Sequence, residues 1–294
     1  MAWWLAAGAL SALVVLVSIV LGNHRRDDPS LDILDEGPHY AYVVALRAHH
    51  LPAWGDTLDQ GTLRLEDCFS LSRSAPHNCS RRDREPSGFD VGGYSFEAQQ
   101  PPLGYLPYAL TATPDAAPRD AIAAAREGGK GWTVVAGVLL LAVAWAEGTS
   151  LLGLVVLQAT CLLSPVFLHA ASTVTNDSAG VAAGALALLG AAVMRGRRRP
   201  SLGFAAGLAV GIVIGMLKGV YVVAPLALVV AALLLERPWR PIRQAWRDIL
   251  RRTACVLGML VGTAGAYLGW MAWQEARASV PSSVVLHALL GFRP

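Results

Sequence analysis

Long apolar blocks alternate with polar segments along the 294-residue chain. The first block, Ala2–Leu21, carries no charge and has about the 20 residues that a helix needs to cross a hydrocarbon core roughly 30 Å thick. A cleaved signal peptide is the alternative, but no Lys or Arg precedes the block and no A-x-A site closes it. The pattern therefore predicts a membrane-anchoring first helix.

The later apolar blocks predict the remaining spans. The stretch 132–168 is too long for one crossing, and polar Glu147–Ser150 divides it into two helices. Lys218-Gly219 divides the stretch 202–235 in the same way. After the first helix, the predicted helices are 132–146, 151–168, 179–194, two within 202–235, and 254–273.

These blocks predict the fold class and the organisation of the chain. We expect an all-α polytopic membrane protein with about seven transmembrane helices and a large structured extracytoplasmic loop after helix 1. The predicted divisions are transmembrane helix 1 (1–22), the loop (23–130), transmembrane helices 2–7 (131–274) and an extracytoplasmic tail (275–294).

Composition agrees with a membrane protein. Hydrophobic residues make up 54% of the chain and charged residues 15%, against about 25% charged residues in a typical soluble domain. The formal net charge is only +3, from 24 basic and 21 acidic residues. The low fraction of charged residues and the long apolar blocks exclude a soluble enzyme. The small net charge gives no indication of nucleic-acid binding.

Arginine clusters predict the orientation. The short loops at 195–199 and 237–252 are rich in Arg and should lie in the cytoplasm. With seven helices, the N-terminus is then inside and residues 23–130 lie outside. Arg25 and Arg26 follow helix 1 on the predicted outer side and oppose this orientation. The scarcity of Lys and the abundance of Ala, Arg and Gly are typical of a GC-rich genome, which favours a bacterial cytoplasmic membrane.

The four cysteines divide into two groups. Cys68 and Cys79 enclose a ten-residue stretch of the polar loop, where an oxidising compartment would favour a local disulfide. Two unpaired thiols, or metal ligation together with His77, are the alternatives. Cys161 and Cys255 fall in apolar helices and are predicted to be small buried hydrophobic residues.

The first candidate for chemistry is an acidic pair about thirteen residues beyond helix 1. Asp35 and Glu36 are followed by Gly37, Pro38 and His39. A carboxylate just above the membrane is suited to take a proton from a hydroxyl. Asp35 is equally suited to cap the helix that follows.

A second candidate is the segment 96–105, in which Glu97, Gln100 and Tyr105 accompany a rigid Pro-Pro pair. Carboxylates, amides and aromatic rings suit sugar hydroxyls and stacking. An ordinary interfacial loop is the alternative. The next segment, Asp115–Gly129, is predicted to be a short Ala-rich helix that stops at Gly128-Gly129.

Two further candidates lie between predicted helices. Asn176 and Asp177 can hydrogen-bond a ligand or cap the next helix. Lys218 is the sole charge in a stretch of over thirty residues. An ammonium group near the membrane can pair with a lipid phosphate, or its side chain can simply extend to the interface.

Taken in this order, the four segments resemble the integral-membrane glycosyltransferases of the GT-C superfamily. The elements that carry the resemblance are Asp35-Glu36-Gly37-Pro38-His39, Gln100-Pro101-Pro102-Leu103-Gly104-Tyr105, the Asn176-Asp177 turn and the lone Lys218 after a Gly-rich helix. The resemblance covers roughly residues 1–235. Related enzymes usually carry more helices and often a soluble domain. The resemblance therefore implies a match to their N-terminal seven-helix core.

The resemblance implies transfer of a sugar from a polyprenyl-phosphate donor to a glycan, lipid or protein acceptor, usually with inversion. It implies a catalytic pair, with Asp35 as general base on the acceptor hydroxyl and Glu36 beside it. His39 would help to orient the acceptor, and Lys218 would hold the donor phosphate. The resemblance assigns the sugar pocket to Glu97, Gln100 and Tyr105. It implies Asn176 and Asp177 as further substrate-binding residues.

Other functions stay open at this stage. A non-catalytic partner in envelope polysaccharide assembly would bind the lipid carrier without turnover, and a transporter would move the lipid-linked sugar unchanged. The sequence carries no inverted repeat, which disfavours a transporter. The expected partners are the sugar donor, its acceptor and membrane lipids, and no nucleic acid. Transfer from a lipid phosphate needs no cofactor, although a divalent metal stays open.

Overall fold

The computed structural model describes residues 2–26, 36–69, 85–89, 93–194, 199–235, 242–281 and 283–284. Within these residues the regular elements are helices, and an isolated antiparallel bridge joins Thr57 to Tyr94. The α-helices are α1 (Ala2–Arg26), α2 (Glu36–Arg47), α3 (Gln60–Phe69), α4 (Leu106–Thr111), α5 (Pro118–Arg126), α6 (Gly128–Ala146), α7 (Leu151–Leu162), α8 (Pro165–Ser172), α9 (Gly180–Met194), α10 (Pro200–Leu217), α11 (Val223–Leu235) and α12 (Ile242–Arg277). Short 3-10 turns cover Pro86–Gly88, Phe96–Gln99, Pro102–Tyr105, Asn176–Ala179 and Gly219–Val222.

The predicted all-α membrane fold is confirmed. Five helical segments of the described chain are long and apolar enough to cross a membrane, and a sixth is added if α7 and α8, bent by 58°, form one broken span. The five segments are Trp3–Asn23, Pro118–Ala146, Asn176–Met194, Pro200–Leu217 and Thr253–Arg277. The chain is therefore a multi-pass membrane protein.

The segment after Lys218 differs from its prediction as a full span. Lys218 has an extended backbone, a 3-10 turn follows it, and α11 then has only 13 residues. Those residues cover about 20 Å, against a hydrocarbon core of roughly 30 Å. The break at Lys218 and the 3-10 turn take up residues that the hydropathy pattern assigned to the helix. The described residues therefore support five or six spans, and the seventh stays a prediction.

The chain forms two compact units. The first comprises Met1–Val17, Val134–Ser164 and Ala179–Gly269. Within it, α10 and α12 are in close backbone contact, because glycines recur at every fourth residue of α10, at positions 203, 207, 211 and 215. A Cβ atom at Gly211 would collide with the carbonyl of Met259 on α12. Close approach through small residues is a common way for helices to pack in membranes.

A buried amide also connects helices of the first unit. The Gln158 Nε2 atom on α7 donates to the Ser11 hydroxyl of α1 at 2.7 Å and to the Gly137 carbonyl of α6 at 2.9 Å. Gln158 is fully buried. Such contacts between helices add specificity where lipid supplies no hydrophobic driving force.

The second unit comprises Ser18–Thr133, Pro165–Ser178 and Trp270–Pro294. The predicted Ala-rich helix of this unit is present as α5, which ends at Arg126, but Gly128 and Gly129 are the first residues of α6 and not the end of α5. Gly128 lies against the backbone of Tyr108, and Gly129 lies against the carbonyl of Ala171. The two glycines therefore allow close backbone contact and do not end a helix.

A buried polar cluster as candidate functional site

A buried ion pair connects the beginning of α2 to the end of α5. The Arg126 Nε and Nη2 atoms each donate to one carboxylate oxygen of Glu36 at 2.7 Å. The Val174 backbone N–H donates to the same carboxylate at 2.9 Å. Glu36 is 1% exposed and Arg126 is 0% exposed. Bidentate contacts of this kind fix orientation as well as charge, so the Glu36 carboxylate is held in one place.

Arg126 was not among the residues singled out from the sequence, although α5 contains a signal for it. The buried residues of α5 are Ala121, Ile122, Ala125 and Arg126. Residues four apart share a helix face, so Arg126 lies on the same face as Ile122. A charged residue on the apolar face of an amphipathic helix needs a buried partner, and Glu36 is that partner.

His39, Tyr105 and Glu97 form a second buried group. The Tyr105 hydroxyl donates to Glu97 Oε2 at 3.1 Å and lies 2.6 Å from His39 Nδ1. His39 Nδ1 is also 3.3 Å from Glu97 Oε2. Because the hydroxyl proton goes to Glu97, the Tyr105 oxygen accepts when His39 Nδ1 carries a proton. The three side chains therefore form a continuous hydrogen-bonded group.

Tyr42 covers this group from α2. Its ring stacks on that of Tyr105, with centroids 4.3 Å apart and an interplanar angle of 21°. Its hydroxyl donates to the Gln100 carbonyl at 2.9 Å. Burial, and secondly the nearby Glu97 carboxylate, raise the pKa of Tyr42 above its usual range. Tyr42 thus remains a neutral donor and fixes the turn that carries Gln100.

The segment before α9 completes the cluster. Asn176 Nδ2 lies 3.4 Å from Gln100 Oε1, and Thr175 Oγ1 lies 3.5 Å from His39 Nε2. Thr175 Oγ1 also accepts from the backbone N–H of Asp177 at 3.3 Å. Thr175 thus supplies one capping interaction at this turn. Of the two residues predicted from the sequence, Asn176 is buried and Asp177 is exposed.

The end of α12 is attached to the loops of the same unit. The Trp270 indole N–H donates to the carbonyl of Gln99 at 3.1 Å. Gln274 Nε2 and Arg277 Nη2 donate to the carbonyls of Pro52 and Leu51 at 3.0 and 3.1 Å. These donors hold the loop backbone beside the turn that contains Glu97 and Gln100.

The structure brings together six of the residues predicted from the sequence. They are Glu36, His39, Glu97, Gln100, Tyr105 and Asn176, all in the second unit. Asp177 belongs to the same unit, whereas Lys218 belongs to the first unit, between α10 and the 3-10 turn that follows it. Asp35 lies outside the described residues, and α2 begins at the residue after it.

The cysteine predictions have different outcomes. Cys79 lies outside the described residues, so its disulfide with Cys68 stays a prediction. Cys161 and Cys255 are free thiols. Cys255 is buried as predicted, and Cys161 is half-buried. In the part of the chain that the structure describes, no group of three or more His, Cys, Asp or Glu side chains could hold a metal ion.

The architecture defines a multi-pass helical membrane protein with a buried polar cluster in one unit. Comparison with known proteins adds no family to this description: no family model, curated protein or solved structure matches the chain. The buried polar cluster is therefore the basis for assigning a function.

Proposed function

We propose that the protein transfers a sugar from a polyprenyl-phosphate donor to an acceptor hydroxyl at the outer face of a bacterial cytoplasmic membrane. In the proposed step, the acceptor oxygen attacks the anomeric carbon while Asp35 takes the hydroxyl proton. The bond from the anomeric carbon to the lipid phosphate oxygen breaks, and polyprenyl phosphate leaves with the electron pair. The products are a glycosylated acceptor and the lipid phosphate.

The observation that carries the proposal is the convergence of three distant sequence segments in one buried cluster. Residues of α2, of the turn around Glu97 and of the segment around Asn176 share hydrogen bonds, although they are separated by up to 138 positions. The same segments carry the resemblance to GT-C glycosyltransferases. A cluster of carboxylate, imidazole, amide and phenol groups also matches what recognition of a sugar requires.

Within this proposal, Glu36 is a positioning residue. Its carboxylate accepts three hydrogen bonds, two from Arg126 and one from the Val174 N–H. These bonds hold the carboxylate in a structural role. Glu36 is the first residue of α2, and the proposed base Asp35 directly precedes it in the sequence. A general base must be held within hydrogen-bond reach of the proton that it removes, so rigid attachment of the neighbouring residue supports that role for Asp35.

His39, Glu97, Gln100 and Tyr105 are proposed to border the sugar pocket. The hydrogen bonds of Tyr105 with His39 and Glu97 fix these three groups before substrate arrives. Asn176 donates to the Gln100 amide oxygen and orients it in the same way, and such preorganisation lowers the cost of binding. Lys218 is proposed to hold the donor phosphate. Its ammonium group would compensate the charge that develops on the leaving oxygen.

The proposed orientation places residues 23–130 outside, the N-terminus inside, and the Arg-rich segments 195–199 and 237–252 in the cytoplasm. It requires the short apolar helix after Lys218 to complete a crossing. Alkaline phosphatase fused after Ala116 should be active and the same enzyme fused after Gly196 inactive. Activity in the reverse pattern would contradict the orientation.

The catalytic proposal is tested with purified protein in lipid and a panel of radiolabelled polyprenyl-phosphate sugars. Wild type is compared with Asp35→Asn, which removes the proposed base without changing the size of the side chain. Asp115→Asn is the matched control, because Asp115 is an exposed acidic residue of the same unit. We expect label to move to acceptor or water with wild type and with Asp115→Asn, and at least a hundredfold less with Asp35→Asn.

Two outcomes would contradict the proposal in different ways. Full transfer by Asp35→Asn would show that another group is the base. Binding of the lipid by wild type without transfer of any label would favour the non-catalytic partner, whereas flux of unchanged substrate across proteoliposomes would favour the transporter.

A further inference from the structure

The short helix α4 has two faces of opposite character. Tyr108 and Ala109 are buried, and Tyr108 donates its hydroxyl proton to Ser178 Oγ at 2.7 Å. On the opposite side, Leu106 is 45% exposed and Leu110 is 77% exposed. Leu106 and Leu110 are four residues apart and therefore share a helix face.

This exposed face lies beside the beginning of a membrane span. Gly128 at the start of α6 lies against the backbone of Pro107 and Tyr108, and Gly131 contacts the Pro107 ring. The Trp132 indole donates to the Gly104 carbonyl at 2.9 Å, in the turn that leads into α4. Trp residues are enriched where helices enter the membrane interface. The contacts thus place α4 against the first two turns of α6, which is the apolar part of the candidate span Pro118–Ala146.

We propose that α4 is an in-plane interfacial helix whose Leu106 and Leu110 face contacts the acyl chains of bilayer lipid. The occupant follows from continuity with the span, because a helix packed on the entry turn of α6 lies at the depth where headgroups meet acyl chains. A surface helix with one apolar face and one polar-anchored face is suited to that depth. The inference is independent of the proposed sugar transfer, since it concerns only what covers this face.

One consequence concerns the buried side of the same helix. Tyr105 immediately precedes α4 and Tyr108 lies within it, and both donate hydrogen bonds inside the unit. Lipid contact on one face and the polar cluster on the other are thus separated by the width of a single helix. The lipid surface would therefore border the candidate site directly.

The test uses the full wild-type chain in phosphatidylcholine–phosphatidylglycerol vesicles that contain phosphatidylcholine with a diazirine on one acyl chain. After irradiation, adducts are located by mass spectrometry of peptides. Val138, which is 60% exposed and lies near the middle of α6, is the positive reference, and the exposed residues 113–117 are the negative one. We expect adducts at 106–110 with a diazirine near the carboxyl end of the chain, and at Val138 with a diazirine near the terminal methyl.

Labelling of Val138 without labelling of 106–110 would overturn the inference. Equal labelling of 106–110 and 113–117 would also overturn it, because that result indicates non-selective reaction. If 106–110 react in vesicles but are protected in native membranes while Val138 stays reactive, the occupant is a protein and not lipid. None of these results depends on whether the protein transfers a sugar.

Discussion

Replacing Arg126 by Met tests whether the buried ion pair with Glu36 holds the second unit together. The substitution keeps an unbranched chain of similar length and removes the guanidinium group that donates to both carboxylate oxygens. Glu36 then remains at a site that is 1% exposed, where its charge has lost its partner. Met therefore isolates the electrostatic contribution with little change in packing.

The expected cost follows from the geometry. Removing one member of a buried ion pair destabilises proteins by about 3–5 kcal/mol, because the other charge stays buried. Here the Val174 N–H still donates to Glu36, and the position at a helix N-terminus contributes roughly 0.3–1 kcal/mol in favour of the carboxylate. We therefore expect Arg126→Met to lower the free energy of unfolding by about 3 kcal/mol, at the lower end of that range.

The assay is reversible unfolding in mixed lipid–detergent micelles, followed by circular dichroism. Lys130→Met is the matched control, because Lys130 forms an ion pair with Glu127 but its side chain is 34% exposed. Exposed pairs of this kind contribute about 0–1 kcal/mol. The difference between the two Met variants measures what burial adds to an ion pair in this protein.

A double-mutant cycle with Glu36→Gln decides whether the loss comes from this pair. Glu36→Gln keeps an acceptor for the Val174 N–H, so the double variant removes both charges and leaves no unpaired one. We expect the double variant to lose about 2–3 kcal/mol less than the sum of the two single losses. Additive losses, or a loss below 1 kcal/mol for Arg126→Met, would refute the reasoning.

Three further predictions follow from other contacts. Gly211→Ala should lower the free energy of unfolding by about 1–3 kcal/mol through overpacking against α12, whereas Gly265→Ala, which has open space around it, should be neutral in the same micelle assay. Trp270→Phe should lower the free energy of unfolding by about 1 kcal/mol, because the indole hydrogen bond to the Gln99 carbonyl is lost. Trp273→Phe should lower it less, because the Trp273 ring contacts the Arg277 guanidinium group and Phe keeps an aromatic ring there. Burial raises the pKa of Tyr40 to about 12, so its contribution to stability is complete below pH 10 and is lost as pH rises toward 12. Tyr40→Phe should therefore flatten the fall in unfolding free energy over that interval, and an unchanged alkaline profile would contradict the assignment.

The positions of the spans were largely predictable, because a membrane imposes a requirement on composition and length that short windows of sequence reveal. The ends of the spans were less so. The last helix was expected over 254–273, but α12 extends over Ile242–Arg277. Polar residues at the ends of an apolar block do not interrupt the backbone hydrogen bonds of a helix, so hydropathy alone marks only its middle.

The sequence singled out the acidic and amide members of the cluster together with His39 and Tyr105. It did not single out Tyr42, Thr175 or Arg126. Glu36, His39 and Tyr105 stand out because polar groups beside a membrane are conspicuous. Arg126 lies in an Ala-rich segment with other charged residues, and its role depends on a partner 90 positions away. The apolar face of α5 indicates that Arg126 is buried, but its pairing with Glu36 is set by the tertiary fold and is not encoded in a local pattern.

The large sequence separation between Glu36 and its hydrogen-bond donors has a consequence for biosynthesis. During translation, Glu36 leaves the ribosome 90 residues before Arg126 and 138 residues before Val174. At about 5–20 residues per second, the nascent chain carries an acid with no guanidinium partner for several seconds. A nascent polypeptide halted before Arg126 therefore cannot form the ion pair that fixes the start of α2 in the folded protein.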